Sequence, residues 1–403
     1  MIGRKYRRWR EKQHYICFVR KRMRLERRMN KKGKTLNTRK TSRRFKRYHK
    51  NIKKGVANAN TTASTFSLNP EEECIAHFVG KQDKRPFRKI PGKNLVIVLP
   101  EIFDLEDNYN QSALVFQVFR RALRIKKRIV NIDFTKMRTI SPACIVTFAS
   151  YVELWKKIQK AKPYPHFDTW QSGIRESFTQ MGFFETVGMK NFSSTPQPHS
   201  EASVQYMGIE SFEVIETGLD VAGERVKNIR HQIEEFVEQK IEHTYFYPAT
   251  IEAILNIHQH AYTHIPQREQ MKKWWISIGF DRKTMLLHIL ILDHGAGIPN
   301  TLIYSKKFNK LLSRFPSVLQ RSDATKLKLA FEKGPNRAKM AGRGHGLSDI
   351  VLYPKTQKQS SLVAWSGKGC YSVAYQEGKQ TSGKSISLPH HFQGTLLELR
   401  IQL

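Results

Sequence analysis

The order of the apolar segments in the second half of the chain is the feature that most constrains its fold. Two helical patterns come first, in "VKNIRHQIEEFVEQKIEH" and "PATIEAILNIHQHAYTH". Strand-like runs follow in "KWWISIGFD", "TMLLHILILDHG", "LVAWSGKG", "YSVAYQEG" and "GTLLELRIQL". Because helices precede a set of mostly antiparallel strands, the pattern predicts an α+β sandwich over residues 209–403.

The middle of the chain has a different pattern, in which strands alternate with helices. Strands are predicted in "NLVIVLP" and "RIVNIDF", and helices in "SALVFQVFRRALRIKK", "SPACIVTFASYVELWKKIQK" and "IRESFTQMGFFETVG". This alternation predicts a small α/β domain over residues 94–188. Polar segments without apolar periodicity, 56–93 and 189–208, are predicted to be linkers.

The charge of the chain is concentrated at its start. The formal net charge is +36, and residues 1–55 contain 24 Lys or Arg against only two acidic residues. Like charges repel, so this segment is predicted to be an extended, disordered basic arm. Aromatic residues such as Trp9 and Tyr48 lie among the basic ones. The arm is therefore predicted to bind nucleic acid through phosphates and stacking. An acidic lipid surface or a merely solvated tail are the alternatives.

Cysteine spacing and hydropathy bear on the compartment. The four cysteines, Cys17, Cys74, Cys144 and Cys370, are far apart and form no C-x-x-C pair. A disulfide framework or zinc site is not expected from this spacing, and a reducing cytoplasm is the predicted setting. No apolar run approaches the ~18 residues that a membrane span requires.

Two glycine clusters suggest a ligand site. The first, "LDHGAGIPN", places Asp293 before Gly295 and Gly297 at a strand end. Glycine lets the backbone approach a ligand closely, and an aspartate can accept a hydrogen bond from an exocyclic amine. The second cluster, "AGRGHGLSDI", leads into a helix whose N-terminus suits phosphates. Together they predict a purine nucleotide site.

A helical pair adds the chemistry that a nucleotide site needs. Glu252 and Asn256 are four residues apart and share one face of the predicted helix. The carboxylate could activate water or a hydroxyl group, and the amide oxygen could bind Mg²⁺.

These motifs resemble those of the GHKL, or Bergerat-fold, ATPases, which include gyrase, heat-shock chaperones, histidine kinases and anti-sigma-factor kinases. Glu252 and Asn256 resemble the family's E-x-x-x-N box, and Asp293, Gly295 and Gly297 resemble its D-x-G-x-G box. Its G-x-G-x-G box and terminal G-T follow in the same order, at Gly342, Gly344 and Gly346 and at Gly394 and Thr395.

The resemblance implies ATP and Mg²⁺ as cofactors and a C-terminal Bergerat-fold sandwich. It assigns Asp293 and Thr395 to the adenine, Asn256 to Mg²⁺, Glu252 to the general base and 300–341 to a lid over ATP. The likeness is greatest to the anti-sigma-factor kinase branch. The charge of Arg343, within the second glycine cluster, could also meet a phosphate.

The segment 94–188 resembles STAS-type domains, through "IVNIDFTKM" and "RTISPACIVTFASYVELW". That likeness makes Ser141 a candidate phosphoacceptor, although the family's acid and glycine are absent there and a helix cap is the alternative reading. His231 precedes the E-x-x-x-N box, as a kinase phosphoacceptor would, but its surroundings lack the family's proline-containing histidine box. A zinc site at His258, His260 and His264 would need further ligands that the spacing does not offer.

Together these features predict an ATP-binding regulatory protein with slow ATPase or serine/threonine kinase activity that controls a protein partner. The alternative is a nucleic-acid-associated adaptor that uses ATP as a conformational ligand without turnover.

Overall fold

The computed structural model describes ten stretches of the chain: 68–79, 94–123, 129–159, 170–189, 204–213, 219–241, 243–262, 272–302, 321–332 and 347–403. The basic arm predicted over 1–55 lies outside the described residues. Gly342, Arg343, Gly344 and Gly346 lie outside them as well.

The described strands are β1 to β10. They span Ala76–Val79, Asn94–Val98, Ile102–Phe103, Ile129–Asp133, Thr139–Ile140, Val204–Glu213, Lys273–Asp281, Leu286–Asp293, Gln359–Gln376 and Lys379–Gln402. The described α-helices are α1 to α10. They span Pro70–Glu73, Tyr109–Leu123, Pro142–Gln159, Ser172–Gln180, Phe183–Thr186, Leu219–Val237, His243–Asn256, Ile298–Thr301, Asp323–Glu332 and Leu347–Thr356. A π-helical turn, Ile257–Ala261, continues α7.

A five-stranded sheet in the order β6-β7-β8-β10-β9 is the centre of the molecule, and all its neighbouring strands are antiparallel. The predicted α+β class is confirmed. Two predicted strands, 362–369 and 371–378, are parts of the single long strand β9. The partner strand β10 begins at Lys379, well before the predicted start at 394. The prediction omitted the first half of this strand because that half is polar and exposed and shows no apolar alternation.

Both faces of this sheet are covered. Alternate side chains, including Ile276, Ile289 and Leu397, form a core with α6, α7, α9 and α10. The intervening side chains, including Trp275 and Leu292, are buried on the opposite face, where α3 contacts β7 and β8 and α2 contacts β10. Successive residues of a strand point to opposite faces, so each strand contributes to two separate cores.

The middle region contains two small sheets. In the first, β1 pairs antiparallel with β2, which pairs parallel with β4; in the second, β3 and β5 are parallel. The linker predicted over 56–93 is therefore wrong for residues 68–79, which form α1 and β1. Buried Glu72 of α1 ties this stretch to α2 through hydrogen bonds with Gln117 and Arg121. Each of these elements has only four residues, which is too short for a periodic pattern to reveal it.

Aromatic packing fills the core of the middle region. Rings from β3, α2 and α3 meet in edge-on, tilted or stacked pairs; they are Phe103, Phe116, Phe119, Phe148, Tyr151 and Trp155. Within the described stretches, no helix combines the length and the apolar character that a membrane crossing requires. Residues 68–403 group into one compact unit.

Candidate nucleotide site

Asp293 is the last residue of β8 and is buried on the face of the sheet that α6, α7, α9 and α10 cover. It lies opposite Thr395 of β10 in the strand register, and its Oδ1 accepts a hydrogen bond from Gly295 N at 2.6 Å. Burial raises the pKa of Asp293 to about 7, although hydrogen bonds from Gly295 and Thr395 oppose the shift. A buried carboxylate beside a hydroxyl group is suited to accept a hydrogen bond from an amine.

The loop after Asp293 is fixed by its backbone. His294 N donates to the hydroxyl of Tyr262 at 2.9 Å, and Ala296 N donates to Ala261 O at 2.7 Å. Ile298 N donates to the Ser366 hydroxyl at 2.9 Å, at the start of α8. The first glycine cluster is therefore held by the π-helical turn on one side and by β9 on the other.

Two glycines are required here by close approach. A Cβ on Gly295 would lie 2.4 Å from Ala261 O, so a side chain would separate the loop from the π-helical turn. A Cβ on Gly394, which has φ +80°, would lie 1.9 Å from Asp293 O. Any larger residue at Gly394 would push β10 away from the strand end that carries Asp293.

The end of α7 brings together the predicted base and cation ligand. Asn256 Nδ2 donates to Glu252 Oε1 at 3.0 Å and to Glu252 O at 2.8 Å. Glu252 is buried, with 8% of its surface exposed. Because Asn256 donates through its nitrogen, Oδ1 is the atom with which it could hold a cation.

The oxygen donors fit Mg²⁺, which often uses one or two protein ligands and completes its shell with phosphates and water. Among the described residues, no group of three His, Cys, Asp or Glu side chains is placed to hold a metal alone. Of the three histidines considered for zinc, His258 and His260 are described and His264 lies outside the described residues. His231 is exposed on α6, and its Nε2 lies 3.5 Å from Glu235 Oε1.

The predicted lid, 300–341, is described only in part. It includes the end of α8 and all of α9, whose Leu327 and Phe331 are buried. The carboxylate of Asp323 accepts a hydrogen bond from Lys368 N at 2.9 Å, which attaches α9 to β9. At the other end of the second glycine cluster, α10 begins at Leu347, directly after Gly346.

Ser141 lies immediately before α3. Its hydroxyl accepts a hydrogen bond from Cys144 N at 3.4 Å, and its own N–H donates to Phe103 O at 3.1 Å. This is the geometry of a helix N-cap, the alternative reading of this residue.

Four residues of the site region were missed at the sequence level: Tyr262, His294, Ser366 and Gln393. Ser366 accepts from Ile298 N and donates to Gly394 O, and Gln393 precedes the glycine that approaches Asp293. A polar residue next to a motif was the only signal available for His294 and Gln393. Tyr262 and Ser366 carry no such signal, because their contacts arise from tertiary packing.

Comparisons with known proteins give little beyond this geometry. No protein-family model matches the chain, and no curated protein matches it. The B-subunit of DNA gyrase from Myxococcus xanthus aligns at 10% identity over 44% of this chain and 43% of that chain, with a TM-score of 0.19. The present chain thus covers less than half the length of that subunit.

Two further solved structures align with the chain. The ATP-binding domain of topoisomerase IV from Francisella tularensis aligns at 12% identity over 48% of this chain and 73% of that chain, with a TM-score of 0.20. The N-terminal domain of a DNA repair protein aligns at 17% identity over 29% of this chain and 28% of that chain, with a TM-score of 0.14. TM-scores of this size do not establish a shared topology.

Proposed function

We propose that residues 209–403 bind ATP in a GHKL-type site on the face of the large sheet that α6, α7, α9 and α10 cover. The observation that supports this most directly is the buried carboxylate of Asp293 beside Thr395, at a strand end followed by a fixed glycine loop. An exocyclic amine offers the hydrogen-bond donor that this carboxylate can accept. Adenine has such an amine, which makes adenine nucleotides the proposed ligand class.

Glu252 is proposed as the general base and Asn256 as the protein ligand of Mg²⁺, which would supply charge neutralisation at the phosphates. The Asn256 amide donates to Glu252 and so fixes the direction of the carboxylate. Deprotonated Glu252 could accept a proton from water or from an acceptor hydroxyl group. We therefore propose slow ATP hydrolysis or transfer to a serine or threonine of a regulated partner.

The opposing proposal is an adaptor that binds nucleic acid and uses ATP without turnover. The concentration of 24 basic residues in the first 55 favours nucleic acid as a partner of the arm. The two proposals differ in whether phosphate is released. Labelled ATP followed by peptide mapping would test Ser141, the N-cap of α3, as the phosphoryl acceptor.

Calorimetric titration of the full chain with ATP and GTP tests the site. Asp293→Asn is expected to weaken ATP about 10–150-fold, because a charge-assisted hydrogen bond contributes roughly 1.5–3 kcal/mol. Asp281→Asn is the matched control, since Asp281 is at the opposite end of the β7–β8 pair. Equal ATP affinity in wild type and Asp293→Asn would contradict the assigned role.

Turnover is tested separately with Glu252→Gln. The glutamine keeps an oxygen for the Asn256 amide, so folding and ATP affinity should be retained. Steady-state phosphate release should fall about 10²–10⁴-fold. Release unchanged from wild type would remove Glu252 as the base, and no release from wild type would favour the adaptor.

A further inference from the structure

Asp293 and His294 are consecutive residues that face opposite sides of the large sheet. Asp293 follows the alternation of Ile289 and Ile291, which face α6 and α7. The ring of His294 lies on the other side, 5.1 Å from the ring of Trp275 and 4.5 Å from the ring of Tyr151 in α3. The backbone that carries the proposed adenine contact is therefore also held by the middle region.

The first attachment is a buried hydrogen bond between Ser150 Oγ and His294 Nε2, at 2.8 Å. Ser150 donates its one proton to Thr147 O at 2.6 Å, so His294 must be the donor to Ser150. Burial lowers the pKa of His294 to about 3, which keeps the ring neutral. The bond thus selects the tautomer that carries its proton on Nε2.

The second attachment runs through Gln393, one residue before Gly394. Its Nε2 donates to His294 O at 3.2 Å and also to Gly295 O, while its Oε1 accepts from Arg120 of α2. Nearby, the Tyr109 hydroxyl of α2 donates to His390 O at 3.0 Å. The segment after Asp293 is therefore contacted by α3, and the segment before Gly394 is contacted by α2.

We propose that Ser150 and Gln393 are positioning residues for the nucleotide site, through which α2 and α3 set its affinity. This rests on the proposed ATP site and adds its regulation: an event that shifts α2 or α3 would change nucleotide affinity. Ser150 contacts the ring of His294, and Gln393 contacts the carbonyl groups of His294 and Gly295. The N–H of Gly295 in turn donates to the Asp293 carboxylate.

Linkage makes the coupling reciprocal. If α2 and α3 favour the geometry that binds ATP, ATP must stabilise the arrangement of α2 and α3 by the same factor. Couplings of this kind typically change affinity about 5–150-fold. The expected signature is therefore weaker ATP binding in the variants and greater amide protection of α2 and α3 when ATP is added to wild type.

The test measures ATP affinity of the full chain for wild type, Ser150→Ala and Gln393→Ala. Each variant is expected to bind ATP about 5–150-fold more weakly. The matched control is Thr147→Val, because the Thr147 hydroxyl is also buried on α3 but donates only to Ala143 O of the same helix. Its affinity is expected to equal that of wild type.

Two readouts separate positioning from general loss of structure. The pH midpoint of nucleotide binding should move in Ser150→Ala and Gln393→Ala but not in Thr147→Val, because a displaced Asp293 has a different environment. Hydrogen exchange on wild type, with and without ATP, needs no variant and remains informative if a variant fails to fold. Added protection in α2 and α3 supports the proposal.

The outcomes are distinguishable. If wild type binds no adenine nucleotide, the proposed function itself is overturned. If wild type binds ATP but both variants bind equally well, with no change in α2 or α3 exchange, only the coupling is overturned. Equal weakening in Thr147→Val would also overturn it, because the effect would then be one of stability.

Discussion

The raised pKa of Asp293 predicts that adenine binding depends on pH near neutrality. Burial raises this pKa from its ordinary value of 3.8 to about 7. The ionised carboxylate is a stronger acceptor for the amine than the protonated acid, so we expect the ionised form to bind. Its fraction is about 0.9 at pH 8 and about 0.1 at pH 6 for a pKa near 7. The apparent affinity should therefore fall about tenfold between these pH values.

Calorimetry in buffers of different ionisation enthalpy measures the linked proton directly. About 0.9 proton should be released per ligand at pH 6, because binding draws nearly every Asp293 to the ionised form. Adenosine is the better ligand for this measurement, because the phosphates of ATP would titrate in the same pH range as Asp293, with a pKa of about 6. The same experiment with Asp293→Asn should show weak binding that does not vary with pH.

The stability of the fold supplies the control. Its dependence on pH has the opposite sign to that caused by a salt-bridged carboxylate. The folded-state pKa lies above the unfolded one, so the folded protein binds more protons between about pH 4 and 7 and loses stability as pH rises through this window. The loss is on the order of 4 kcal/mol by pH 8. Asp293→Asn should thus melt no earlier than wild type at pH 8. Equal adenosine affinity at pH 6 and pH 8 would refute the reasoning.

Three other predictions concern the ion pair, the cation and the arm. Glu153→Ala should destabilise the fold by about 3–5 kcal/mol in urea denaturation, because it leaves the buried ammonium of Lys273 without its carboxylate. Replacing both residues, as Glu153→Gln with Lys273→Met, should recover most of that loss. Asn256→Ala should weaken ATP in Mg²⁺ but not in EDTA; equal weakening in both would contradict a cation role. Deletion of 1–55 should abolish RNA and DNA binding measured by fluorescence anisotropy. The full chain should lose about 10³–10⁵ in affinity between 50 and 200 mM salt if the arm contacts 6–10 phosphates; binding to acidic vesicles alone would instead favour the lipid alternative.

Apolar periodicity was sufficient for the elements that bury many apolar side chains. The strand predicted over 273–281 matches Lys273–Asp281, and the helix predicted over 141–160 matches Pro142–Gln159. Periodicity failed for β6, an edge strand of the sheet, and for the first half of β10, which is polar and pairs with β9. In β6, Met207 and Phe212 pack against the core, but a register shift between Tyr206 and Ile209 interrupts the alternation.

The site was predictable to the extent that it is local in sequence. The spacing of Glu252 and Asn256 gives their contact on one helix, and the glycines after Asp293 predict a tight loop. The contacts of His294 with Ser150 and of its carbonyl with Gln393 join residues that are far apart in sequence. No motif encodes them, since they depend on the helices of the middle region covering the second face of the sheet.

That second face also determines where the chain can be cut. A fragment that starts at residue 209 would lose the first half of β6 and would leave Trp275, Trp365, Leu292 and Leu396, which are buried in the whole chain, facing water. An apolar area of that kind promotes aggregation, so the fragment would precipitate or refold poorly whatever its affinity for ATP. Residues 68–403 should instead unfold in a single cooperative transition. A truncation intended to isolate the nucleotide site must keep α2 and α3.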